Sequence, residues 1–253
     1  MVSIDLNCDL GEGNKLSLPA SDAEIMPLIT SANIACGFHA SNPLLMEQTV
    51  RLAIRHGVAV GAHPSYPDQQ SFGRSEMTIH PEELRADLIY QIGALTAICR
   101  SLGVALHHVK VHGALYNRAA VDGETARTVA AAIRDITPEA YMVCLAGSQM
   151  TAAARELGVR FVEEVFADRA YAPDGTLVPR SCEGSVLHDP LLVAERLVRM
   201  VREKCVAAVD GSIVPLSFQT VCVHGDTPGS AALIRKIRRR LTVAGIRIAA
   251  SGG

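Results

Sequence analysis

Short apolar runs alternate with longer amphipathic stretches from one end of the chain to the other, the pattern of repeated βα units on a parallel sheet. Seven runs read as strands: Ile4–Cys8, Ser31–Cys36, Val58–Ala62, Leu106–Val111, Tyr141–Leu145, Phe161–Phe166 and Thr220–Val223. Between them, a side-chain acceptor followed by proline marks helix starts at Asn42-Pro43, Asp189-Pro190 and Thr227-Pro228. A proline N–H is not missed in a first helical turn, so these pairs make good caps. Ser21-Asp22-Ala23-Glu24 has the spacing of a capping box, with Pro27 limiting the helix that follows.

Leu84, Leu88, Ile92, Leu95, Cys99 and Leu102 recur at helical spacing and predict a helix from Pro81 to Leu102. Leu191–Val206 and Ala231–Leu241 predict two more, the latter with Arg235, Lys236, Arg238, Arg239 and Arg240 on a solvated face near its C-terminus. One segment breaks the rhythm. Tyr171-Ala-Pro-Asp-Gly-Thr-Leu-Val-Pro179 reads as a hairpin or long loop around Asp174-Gly175, inserted after the sixth strand. With no flexible linker and no repeat, residues 1–253 form one domain in this reading.

Composition narrows the functional classes. Half the residues (49%) are apolar, enough for a large core, and 24 basic against 26 acidic residues leave a net charge of −2. Such a balance offers neither a cationic field for nucleic acid nor a polybasic handle for a membrane, and no apolar run reaches the ~20 residues of a bilayer span. The expected location is cytoplasmic. The seven cysteines make no CxxC pair; Cys99, Cys144, Cys205 and Cys222 lie in apolar stretches and read as reduced core thiols, while Cys8 and Cys36 adjoin polar clusters.

The chemistry gathers where strands end. In a βα barrel the loops after the strand C-termini meet at one mouth. Here the first strand ends in Asn7-Cys8-Asp9-Leu10-Gly11-Glu12, the second in Asn33-Ile34-Ala35-Cys36-Gly37-Phe38-His39 and the third in Gly61-Ala62-His63-Pro64. The fourth gives Lys110-Val111-His112 with Tyr116 close behind, the sixth Asp168-Arg169 and the seventh His224-Gly225-Asp226. Residues two apart share a face, so Asp5, Asn7 and Asp9 line the interior together, as do His108, Lys110 and His112. Lys110, one of only four lysines, is expected either to be pushed down toward a usable base by burial or to pair with Asp9.

Three functional readings fit this cluster. Asp9 with two or three of His39, His63, His112 and His224 suits a hydrolytic Zn²⁺ or Mn²⁺, although no HExxH or HxH spacing singles out a ligand set. Alternatively, Asp9 or Glu12, the imidazoles and Lys110 move protons without a metal while loop N–H groups hold an anion. The third reading is a binding module without turnover. Nucleotide motifs are absent, with no G-x-x-x-x-G-K-[ST] loop and no G-x-G-x-x-G turn, and there is no G-x-S-x-G elbow to present a nucleophilic serine.

The same segments resemble the LamB/YcsF family, the A subunits of bacterial ATP-dependent 5-oxoprolinase. The family's D-L-N-x-D-L-G-E is similar to Asp5–Glu12, S-A-N-I-A-C-G-F-H-A to Ser31–Ala40, G-A-H-P to Gly61–Pro64 and F-G-R to Phe72–Arg74. Tyr90–Leu95, His112–Asn117, Phe166–Arg169 and Val223–Asp226 extend the resemblance in order over nearly the whole chain. It departs from the family pattern at Ser41-Asn42, Ser75, Val111 and Gly13-Asn14-Lys15.

The resemblance implies a single-domain α/β fold, a TIM-like (β/α) barrel of seven βα units. It further implies action with separate B and C subunits to open the lactam of 5-oxo-L-proline to L-glutamate, with ATP bound with or by those partners and no firm metal assignment. In that scheme Asp9, Lys110, His63 and His112 are the expected catalytic residues, and Asn7, Glu12, Asn33, His39, Arg74, Tyr116 and His224 the expected substrate contacts. The rival readings are a metal-dependent deacetylase or amidohydrolase on a related irregular barrel, and a non-catalytic small-molecule-binding subunit.

Overall fold

A computed structural model describes residues 2–13, 18–223, 225 and 229–252. Seven parallel strands close into a barrel in the order β1 (Ser3–Leu10), β2 (Ser31–Ala35), β3 (Ala59–His63), β4 (His108–Val109), β5 (Tyr141–Leu145), β6 (Phe161–Phe166) and β9 (Thr220–Cys222). Closure is made by β9 against β1, in the register Asp5↔Thr220 and Asn7↔Cys222. A short β10 (Arg247–Ile248) adds to the start of β1. All seven strands read from the sequence are present. The fourth is regular over only two residues, but the chain stays extended beyond it, with Lys110 N–H donating to Ala62 O (2.9 Å) and His112 N–H to Pro64 O (2.8 Å).

Helices cover the outside of the barrel. They are α1 (Ala20–Ile25), α2 (Pro43–His56), α3 (Pro81–Ser101), α4 (Gly113–Val121), α5 (Gly123–Ile136), α6 (Gln149–Glu156), α7 (Pro190–Glu203) and α8 (Ser230–Val243). Ile4, Leu6, Cys8, Ile34, Val60, Val109, Val165 and Val221 are buried beneath them, the apolar half of each strand's alternation. Asn42 Oδ1 accepts from Leu45 N–H (3.1 Å), and Asp189 Oδ1 from Leu191 N–H (2.8 Å), so both proline-linked caps form. Among the described residues no helix is long and apolar enough to cross a membrane.

Several expectations change. The capping box at Ser21–Glu24 does not form: α1 starts two residues earlier, after Pro19, and Asp22 Oδ2 instead accepts from Gly11 N–H at 2.8 Å. The residues lie inside the first turn, where a carboxylate has no cap to make and is available to the loop after β1. The seventh helix stops at Glu203, because Lys204 turns into the left-handed region and Cys205–Ala207 (β7) pairs antiparallel with Ile213–Pro215 (β8). Cys205 is consequently half-buried rather than in the core. The segment after β6 does fold back on itself, with Tyr171 bridging Leu177 and Ala172 N–H donating to Thr176 O (2.8 Å). The predicted cap at Thr227-Pro228 lies outside the described residues.

Candidate active site

The polar half of the strand alternation fills the barrel axis in layers. At the lower end the Asp5 carboxylate accepts from the hydroxyls of Thr30 (2.5 Å), Ser31 (2.8 Å) and Thr220 (2.6 Å). In the middle, Asn7 Nδ2 donates to Thr220 Oγ1 (2.7 Å) and Glu164 Oε1 (2.8 Å), and Asn33 Nδ2 donates to Asn7 Oδ1 (2.8 Å). Asn33 Oδ1 in turn accepts from His108 Nε2 at 2.8 Å. His108 fits inside because β3 carries Gly61 opposite it; a Cβ there would fall 2.1 Å from His108 Nε2.

The upper layer holds the charges. Lys110 Nζ lies 3.2 Å from Asp9 Oδ1, 3.0 Å from Glu164 Oε1 and 3.1 Å from Cys222 Sγ, with the Phe166 ring 5.2 Å below. Burial works to lower its pKa, but the Asp9 and Glu164 carboxylates outweigh burial and hold it well above the ordinary lysine value. Of the two expectations for Lys110, the geometry is that of pairing with Asp9. Asp9 is likewise held well below the usual carboxylate range: burial opposes ionisation, and His63 and Lys110 overcome it. Tyr116 donates its hydroxyl to Glu164 Oε2 at 2.8 Å, and burial with that carboxylate pushes its pKa well up.

Three histidines stand beside this pair. His63 Nδ1 donates to Lys110 O (2.6 Å), and its Nε2 faces His112 Nδ1 (2.9 Å) and Asp9 Oδ2 (3.4 Å). His112 Nε2 donates to Phe72 O at 2.9 Å. His39 stacks on His112 with ring centroids 3.9 Å apart and places Nε2 3.2 Å from Glu12 Oε1. Burial lowers the pKa of His39 and, to about 2, that of His112. For His63 the Asp9 carboxylate reverses the effect of burial and raises it.

The loop that supplies Phe72 O is shaped for this contact. Phe72 and Gly73 both have positive φ (57° and 66°), and Gly113 (57°) lets Ala114 N–H reach Gly73 O at 2.9 Å. A Cβ on Gly113 would sit 2.3 Å from that carbonyl oxygen. Phe72, a bulky residue in the left-handed region, carries backbone strain that these contacts sustain.

Above the charged layer opens a cavity of about 630 Å³. Asp9, Glu12, His63, Lys110, His112, Tyr116 and Arg74 line it, as the sequence led one to expect of the barrel mouth. Asn7, Asn33 and His39 do not; all three are buried, Asn7 and Asn33 in the layer beneath and His39 behind His112. His224 lies outside the described residues. Sequence reasoning passed over Glu164, whose only signal was an acidic pair, Glu163-Glu164, inside a buried strand. It also gave no site role to the inserted segment, although Thr176, Leu177, Pro179 and Arg180 form one wall. Arg169 pins that wall by donating to Val178 O (2.6 Å) and Ser185 O (3.2 Å).

The chain is similar to known proteins over nearly its whole length. The model of the LamB/YcsF family matches residues 4–252. The chain belongs to the LamB/YcsF family. Curated members similar to it include the 5-oxoprolinase A subunit of Symbiobacterium thermophilum, 50% identical over 249 residues, covering 98% of this chain and 95% of the relative. The protein of the same name from Pyrococcus furiosus is 47% identical over 251 residues, covering 99% and 98%. Among solved structures, the lactam utilization protein from Thermus thermophilus superposes with a TM-score of 0.93 at 46% identity, covering 98% of this chain and all of that one.

Proposed function

We propose that this LamB/YcsF chain binds 5-oxo-L-proline in the mouth cavity and, with separate B and C subunits, takes part in opening its lactam to L-glutamate at the expense of ATP. The observation that carries the reading is the Asp9–Lys110–Glu164 cluster at the floor of a cavity rimmed by Arg74 and Arg180, in a chain half identical to relatives named as the A subunit of 5-oxoprolinase.

The ligand's parts match the lining. A carboxylate on the ring suits the guanidinium of Arg74 or Arg180, which bind such groups through paired N–H donors. The lactam N–H suits Asp9, an ionised acceptor within the wall, and the lactam oxygen suits a donor such as Lys110 Nζ. Asn33 and His108 hold Asp9 and its neighbours in place from below; they position rather than touch the ligand.

Amide resonance protects an unstrained five-membered lactam from water, so ring opening gains from phosphorylation of the carbonyl oxygen. The chain has no phosphate-binding loop motif, which fits ATP entering with the partner subunits. The test mixes the chain with B and C subunits, ATP and 5-oxoproline and follows glutamate. Release that requires all components is expected; no release, together with no calorimetric binding of 5-oxoproline to the assembled subunits, contradicts the proposal.

A further inference from the structure

The contact between His63 and His112 poses a hydrogen-bonding problem. Lys110 O and Phe72 O are backbone carbonyls and can only accept, so the ring nitrogens facing them, His63 Nδ1 (2.6 Å) and His112 Nε2 (2.9 Å), each carry the hydrogen. The remaining nitrogens, His63 Nε2 and His112 Nδ1, then point lone pairs at one another across 2.9 Å. Two neutral imidazoles cannot rest that way; something positive must lie between them.

A proton answers the problem for a pair of rings alone. At the lower end His107 Nδ1 and His108 Nδ1 also stand 3.1 Å apart, but among the described residues no third ligating side chain converges there. At the mouth a third donor does converge. Glu12 Oε1 lies 3.4 Å from His112 Nδ1 and 4.0 Å from His63 Nε2. Two ligands at about 2.1 Å from a tetrahedral ion stand roughly 3.4 Å apart, and the three separations of 2.9, 3.4 and 4.0 Å bracket that value. The ring planes of His63 and His112 cross at 88°, so neither ring blocks the other.

From this geometry we infer a divalent transition-metal site formed by His63 Nε2, His112 Nδ1 and Glu12 Oε1. Asp9 Oδ2, 3.4 Å from His63 Nε2, stands beside it as a further oxygen donor. The outer nitrogens are fixed on backbone carbonyls, the arrangement that orients metal-bound imidazoles in general. His39 is excluded as a fourth ligand despite its nearness, because its ring stacks parallel to His112 (3°) and the in-plane lone pairs of stacked rings do not meet at one ion. It orients Glu12 instead, with Nε2 3.2 Å from Oε1 and Nδ1 2.9 Å from Ser65 Oγ. Two imidazoles and a carboxylate suit Zn²⁺, Mn²⁺, Fe²⁺ or Co²⁺ rather than Ca²⁺ or Mg²⁺. His63, His112 and Glu12 all line the cavity, so the open coordination positions face it.

The experiment uses the full chain without partner subunits, ATP or 5-oxoproline, so its outcome is independent of the proposed reaction. Chelator-stripped protein is titrated calorimetrically with Zn²⁺, Mn²⁺ and Co²⁺, and the Co²⁺ spectrum is recorded. One ion per chain is expected for at least one metal, with visible cobalt bands free of thiolate absorption. Glu12→Gln and His112→Gln should weaken binding more than about 100-fold, and His39→Ala, which only orients Glu12, by about 10- to 100-fold. If these variants fail to fold, ¹⁵N spectra of wild-type histidines serve: His63 Nε2 and His112 Nδ1 should shift on adding Zn²⁺ while His107 and His108 do not. No saturable binding by the wild-type chain, a sulfur ligand in the cobalt spectrum, or unmoved His63 and His112 nitrogens would overturn the site.

Discussion

Asp5 and Asp9 lie on the same inward face of β1, yet one barrel end is closed and the other open. Asp5 is surrounded by the neutral hydroxyls of Thr30, Ser31 and Thr220; burial raises its pKa and those donors only moderate the rise. Asp9 meets Lys110 and His63, and its pKa falls well below the ordinary range. The same side chain on the same strand becomes a structural acceptor at one end and a fixed negative charge beside a cavity at the other. Neighbours contributed by distant strands make the difference, not position along β1.

The largest effect is expected from removing the cation of the upper end. Lys110→Met leaves Asp9 and Glu164 without their counter-charge and should cost about 3–5 kcal/mol in urea denaturation, as breaking a buried ion pair does. A loss below about 1 kcal/mol would mean the upper carboxylates are not held as charges.

Asp22, which ties Gly11 and so the start of the mouth loop, sharpens the contrast through pH. Burial raises its carboxyl from 3.8 to about 6, with the Gly11 N–H and the Ser21 hydroxyl pulling the other way. Between those values the folded chain binds more protons than the unfolded one, so stability falls as pH rises across the window and levels off above it. The cost of ionising it amounts to about 3 kcal/mol. Asp22→Asn keeps an acceptor for Gly11 and should flatten the melting temperature between pH 4 and 6; an unchanged slope would assign the dependence elsewhere.

At the lower end the effect should be smaller. Thr220→Val removes one donor to Asp5 and one acceptor from Asn7, and should cost about 1–3 kcal/mol while 5-oxoproline turnover with the partner subunits stays near wild type. A large drop in turnover without a stability loss would show that the two ends are not separate in function.

Much of this was legible beforehand. The seven strands follow from short apolar runs, and the inward set Asp5, Asn7, Asp9 and His108, Lys110, His112 from a period of two. Three helices were harder to read. α4 opens on Gly113 and is apolar on most sides, while α5 and α6 draw much of their buried faces from alanine, so no broad stripe of large residues announces them. Glu164 was hidden because Glu163 beside it breaks the alternation; the two point to opposite faces, Glu163 toward Gly147 N–H (3.1 Å) and Glu164 toward Lys110. The tautomers of His63 and His112 depend on carbonyls of Lys110 and Phe72, contacts that only the folded chain provides.

The most direct measurement compares Asp9→Asn with wild type in the assay of ATP-dependent glutamate release, with melting curves recorded alongside. A fall in turnover of about 10²- to 10⁴-fold with the fold retained is the predicted result. Wild-type turnover by a folded Asp9→Asn chain would contradict the assignment of the mouth as the place where the lactam is handled.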